Sequence, residues 1–179
     1  MELKYKESEL YFTYYSKSNC RYVLGKRGKN SIIFFGINPS TAKIDNKGNI
    51  VKDQTIKRIE NITKLNGYDS WIMLNIYPQR TKNPNDLDII LNENMHKQNL
   101  KLIKLYTKKE SKIVASWGCN IKKRKYLTEI LKEIIKTTNL KNNIWFCNGF
   151  TENDDPKHPS RISKTEEKLI EFKINEYIK

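Results

Sequence analysis

The chain alternates between short apolar runs and longer stretches in which apolar residues recur every three or four positions. The runs are 31–36 (SIIFFG), 71–76 (WIMLNI), 112–117 (KIVASW) and 143–148 (NIWFCN). Each is nearly continuous and rich in β-branched or aromatic residues, the pattern of a strand covered on both faces. The first helical stretch begins where Asp53 caps a turn, carries Ile56, Ile59, Ile62 and Leu65 on one side, and stops at Gly67. Asn92 opens a second, with Met95, Leu102, Ile103 and Tyr106 inward. The third carries Tyr126, Leu127, Ile130, Leu131, Ile134 and Ile135 at helical spacing. A fourth is predicted from Ser163, with Glu166 completing a capping box and Leu169, Ile170, Ile174 and Tyr177 inward. Strand and helix thus alternate four times. That order predicts one α/β domain over 1–179, a parallel sheet with right-handed crossovers and flanking helices. Residues 1–30 are less regular, and RYVLGKRGK within them reads as an edge hairpin or a docked loop.

The same pattern says where to look for chemistry, because ligands of open parallel sheets bind beyond the carboxyl ends of the strands. The first run is followed by Gly36-Ile37-Asn38-Pro39-Ser40-Thr41-Ala42, and the second by Asn75, Tyr77, Gln79 and Arg80. Trp117, Gly118 and Cys119 follow the third. Gly149-Phe150 follow the fourth, with a polar loop reaching Lys157-His158-Pro159-Ser160-Arg161-Ile162-Ser163. Each segment has a bland structural reading. Asn-Pro-Ser-Thr suits a turn with a helix cap, Trp117 suits a core, and a histidine before proline suits a loop. Four such segments meeting at one sheet edge favour a site.

Composition narrows the classes. With 179 residues, 37% of them hydrophobic, the chain can bury a real core. No apolar run approaches the ~18 residues of a spanning helix, and MELKYKESEL has no signal-peptide core, so a soluble cytoplasmic protein without a membrane partner is expected. Cys20, Cys119 and Cys147 are far apart and form no CxxC, which argues against a zinc ribbon or disulfide scaffold; no metal or organic cofactor is expected. The net charge of +14 points to a polyanion, nucleic acid first. Lys, Asn and Ile are abundant together, so AT-rich coding also accounts for part of the lysine excess. Lys122-Lys123-Arg124-Lys125 opens the third helix, where cations oppose the macrodipole; a phosphate or plain solvent are the two readings.

The strand-end motifs carry a resemblance. GINPS and HPSRIS resemble the GxNPG and HPSPLS motifs of the uracil-DNA glycosylase superfamily, and MLN and SWG resemble two of its strands. INPSTA at 37–42, DQTIKR at 53–58, NIYPQRTKNP at 75–84, SWG at 116–118 and HPS at 158–160 resemble, more specifically, a bacterial and phage domain family of unknown function. The resemblance implies a three-layer αβα sandwich with a four-stranded parallel sheet, uracil-DNA-glycosylase-like, and hydrolysis of the N-glycosidic bond of a base flipped out of DNA. It implies Asn38 orienting the water and His158 donating to the departing base, with Asp53 either a helix cap or a reserve base. Phe35 or Tyr77 would stack on the base, Asn75 would read its edge, and Ile162 would fill the vacated stack. Lys157, Ser160, Arg161 and Ser163 would hold DNA phosphates. Arg58 and Arg80, which belong to the domain family's pattern, would pair with Asp53 or hold a phosphate. Uracil-specific relatives place a tyrosine after the motif's proline. This chain has Ser40, so 5-substituted pyrimidines are expected to fit, in repair or in defence against phage with modified DNA. A monomer is expected. The alternatives are a nucleoside- or nucleotide-processing enzyme and a non-catalytic nucleic-acid-binding module.

Overall fold

A computed structural model describes residues 2–16 and 19–179. Its first elements are three antiparallel strands, β1 (Leu3–Glu7), β2 (Tyr11–Ser16) and β3 (Cys20–Lys26). Then come β4 (Ser31–Gly36), a small flap of β5 (Lys43–Ile44) and β6 (Ile50–Val51), α1 (Gln54–Leu65) and β7 (Ser70–Asn75). The chain continues through α2 (Glu93–Tyr106), β8 (Lys112–Ala115), α3 (Lys125–Thr137), β9 (Ile144–Cys147), β10 (Ile170–Glu171) and α4 (Ile174–Tyr177).

The four apolar runs pair in parallel, in the order β7-β4-β8-β9, but they are only the interior of the sheet. The full order is β1-β2-β3-β7-β4-β8-β9-β10, eight strands of mixed direction. The expected four-stranded parallel, uracil-DNA-glycosylase-like sandwich is therefore not the fold. The reason is backbone pairing: β7 would otherwise end the sheet with its peptide groups unmet, and β3 pairs antiparallel with it from Val23↔Leu74 to Lys26↔Trp71. RYVLGK is thus an interior strand, neither edge hairpin nor loop. Lys17 and Ser18 of that N-terminal segment lie outside the described residues.

Three of the four predicted helices form, with Asp53 capping Ile56 N–H (3.0 Å) and Asn92 capping Met95 N–H (3.1 Å). Leu65, expected inward, is exposed, since the last turn of α1 passes beyond the sheet. The fourth helix does not run through. Its capping box forms at Ser163 and Glu166 but governs one 3-10 turn, after which the chain extends as β10 against β9. Asn66 at the end of α1 holds the segment extended: its Nδ2 donates to Glu167 O (2.9 Å) and its Oδ1 accepts from Leu169 N–H (3.1 Å). Arg58 pairs with the Glu167 carboxylate there.

Two cores result, one on each sheet face. Ile56, Ile59 and Ile62 of α1 pack on Phe34, Trp71, Met73 and Val114. On the other face α2 and α3 pack on Ile33, Phe35, Leu74 and Ala115.

Candidate active site

At the carboxyl end of β4, Gly36 leaves no room for a side chain, because a Cβ there would lie 2.5 Å from Met73 Cε. The chain turns out of the sheet, and the Asn38 amide nitrogen donates to Thr81 O (3.0 Å), Pro39 O (3.2 Å) and Gln79 O (3.5 Å). Three carbonyls around one end of the amide fix it as the nitrogen. The Asn38 oxygen is left without a protein donor among the described residues. Asn38 lines a cavity of about 310 Å³ with Ser40, Asp53, Trp117, His158 and Ser160.

His158 caps the 3-10 turn of Pro159–Arg161. Its Nδ1 accepts from Ser160 N–H (3.3 Å) and lies 2.8 Å from Ser160 Oγ. A backbone N–H can only donate, so Nδ1 is unprotonated and the neutral ring carries its proton on Nε2. Burial pushes the imidazole down to about 4; Asp53 opposes that shift and Arg161 adds to it. His158 is therefore a neutral donor near pH 7. Gly118, at φ 65°, allows the close approach, since a Cβ on it would sit 3.3 Å from His158 Cβ.

Asp53 borders the cavity, but both its oxygens are engaged, Oδ1 by Ile56 N–H and Oδ2 by Ala42 N–H (3.3 Å). That is the geometry of a cap joining α1 to the loop after β4. Trp117 forms part of the wall, and its Nε1 donates to Tyr177 Oη (3.1 Å). Tyr177 in turn donates to buried Asp155 (2.7 Å).

The remaining predicted residues distribute unevenly. Arg161 lines the cavity and is exposed. Phe35 is fully buried against Trp145 on the α2–α3 face, away from the α1 end of the cavity. Tyr77 is fully buried too, packed edge-on to Tyr126 with its hydroxyl on Asp88 (2.7 Å). Neither residue lines the cavity. Asn75 is 1% exposed and outside the cavity lining, and its side-chain amide has no partner among the described residues. Ile162 is 5% exposed in the α1 core, so it is not placed as a wedge. Lys157 is paired with Glu166, and Ser163 belongs to the capping box. Arg80 lies beside the cavity, its guanidinium on Thr41 O (3.3 Å) and Ala42 O (3.5 Å). Lys82 and Asn120 line the cavity without having been singled out by sequence. Lys82 does fall inside NIYPQRTKNP; Asn120 carried no signal.

The five quoted segments converge here. INPSTA contributes Asn38 and Ser40, DQTIKR contributes Asp53, Gln54 and Thr55, and NIYPQRTKNP contributes Thr81, Lys82 and Pro84. SWG adds Trp117, and HPS adds His158 and Ser160. These features define an α/β protein with a polar cavity at the carboxyl ends of the parallel strands of a mixed sheet. The chain belongs to the family described as protein of unknown function (DUF1643), whose model matches residues 21–160. No curated protein and no solved structure matches it. No helix among the described residues is long and apolar enough to cross a membrane.

Proposed function

We propose that this protein is a monofunctional DNA glycosylase that hydrolyses the N-glycosidic bond of a flipped-out, modified or damaged pyrimidine. The observation that carries the reading is one cavity lined by an acceptor held without a donor, Asn38 Oδ1, and by a neutral histidine that keeps its proton on Nε2. Glycosidic cleavage develops positive charge on the sugar and negative charge on the leaving base. A carbonyl oxygen can orient the attacking water, and an N–H can bond the oxygen of the departing base. A cavity of about 310 Å³ sits at the small end of ligand sites, suited to one base and its sugar. The short motif likenesses support the same chemistry.

Ser40 leaves the wall beside Asn38 small, so substituents at pyrimidine C5 are accommodated. The experiment is incubation with duplexes and single strands carrying uracil, thymine, 5-hydroxymethyl and glucosylated pyrimidines, then alkali and a gel. Strand scission is expected at substituted pyrimidines, with Ser40→Tyr losing the bulkiest first. Scission at uracil alone, or an unchanged preference in Ser40→Tyr, overturns the substrate assignment. Absence of scission on every polymer overturns the glycosylase reading.

A further inference from the structure

Next to the cavity lies a second recess of about 180 Å³ between the N-terminal strands and the β5 flap. Its charged lining is Lys6, Arg21, Lys43 and Arg80, four cations with no carboxylate among them. Arg21 is 4% exposed, yet its Nε has no hydrogen-bond partner among the described residues. Its Nη1 is held by Ala42 O, which also receives Arg80. The acid whose charge acts on both arginines is Asp53, whose two oxygens already accept from Ile56 and Ala42 N–H. Like charges gathered in a recess, one of them buried and incompletely bonded, are unfavourable unless an anion joins them.

We propose that this recess is a phosphate-binding subsite, engaged by Arg21 and Arg80 from its floor and by Lys6 and Lys43 from its rim. The charge of the arginines supports it: burial, with Arg80 nearby, pulls Arg21 down to about 9, a shift that a bound dianion would reverse. Guanidinium groups suit phosphate because their planar donors match two oxygens at once. The recess is continuous with the cavity. A shallow depression between them is lined by Arg80 on one side and by Ser40, Thr81 and Lys82 on the other, and the last three also line the cavity. A base in the cavity would thus have a phosphate of its own strand in the recess. That last step rests on the glycosylase reading; the anion site itself does not.

The test is thermal unfolding in sodium phosphate against sodium chloride at matched ionic strength. The wild-type midpoint is expected to rise with phosphate, as for any ligand bound only by the native state. The rise should be lost in Arg80→Gln. It should shrink in Lys43→Glu, a substitution at an exposed position that is expected to keep the fold. No rise in the wild type, or an equal rise in Lys43→Glu, overturns the subsite. A competition arm separates the sources of phosphate. A labelled oligonucleotide displaced by phosphate in the wild type but not in Lys43→Glu places a strand phosphate in the recess. Displacement of a labelled 5′-mononucleotide instead assigns it to a free nucleotide. Base release plays no part in any readout, so failure of the glycosylase reading and failure of the subsite are distinguishable.

Discussion

Asn38 and His158 owe their orientation to backbone atoms, and this decides how substitutions act. Asn38→Asp would turn a carboxylate oxygen toward the carbonyls of Pro39, Gln79 and Thr81, where the amide nitrogen now donates. It is expected to destabilise by about 1–3 kcal/mol, the cost of buried polar groups left unpaired, measured by urea unfolding. Its base release should fall along with its stability, despite the stronger base. Unchanged stability would mean that the amide is not held as described. His158→Ala is expected to slow base release about 100–1,000-fold, the usual loss when one donor to a developing anion is removed. For the imidazole, the native pKa of about 4 lies below the ordinary 6.5. Between those values the unfolded chain binds a proton that the native chain does not. Stability from this group is therefore complete above pH 6.5 and is lost as pH falls toward 4. A histidine ring titration followed by NMR should give His158 a midpoint near the lower value; a midpoint at 6.5 would contradict the half-buried, Nδ1-accepting geometry.

Among the elements, what sequence made legible was periodicity and caps; what it hid was parity and competition. Asp53 and Asn92 mark helix starts because an oxygen-bearing side chain precedes an apolar stripe, and both cap as expected. Asn38, Ser40, His158 and Ser160 were readable as polar residues just past strand ends, and all four line one cavity. Phe35 was misplaced because SIIFFG is apolar throughout, so nothing in it says which residues face α1; Phe34 does, and Phe35 faces the other way. The fourth helix failed because its apolar spacing also fits an extended edge, and β9 with Asn66 offered that edge partners. Arg21 carries no signal in sequence because RYVLGKRGK reads as an edge hairpin or a docked loop, whereas it is an interior strand. Ile162 gives the sharpest test at this scale. As part of the α1 core, Ile162→Ala should cost about 2–5 kcal/mol by cavity formation, seen as a fall in melting temperature. A melting temperature close to wild type, with DNA binding lost, would restore it as a wedge.

For the whole molecule, the net charge of +14 overstates what is free to meet a polyanion. Arg58, Lys122 and Lys157 are engaged with Glu167, Asp155 and Glu166, and Arg124 donates to the carbonyls of Asn85, Leu87 and Asp88. Half of the 122–125 cluster is thereby structural. Among the described residues, the cations around the cavity and recess, namely Lys6, Lys43, Arg80, Lys82 and Arg161, are in no ion pair with a carboxylate. DNA affinity is expected to fall linearly in log–log form with salt, with Lys82→Gln reducing the slope by about one counterion. A flat isotherm across salt would remove DNA as the partner.

The contact between Trp117 and Tyr177 has a consequence in time as well as in space. Trp117 lines the cavity, and its indole is held by a residue sixty positions later, Tyr177, which is itself held by Asp155. During synthesis, the parallel strands and α1 leave the ribosome well before Tyr177 does. The nascent chain therefore carries a basic surface before the Trp117 indole has its partner, and that contact forms only once Tyr177 has emerged and docked.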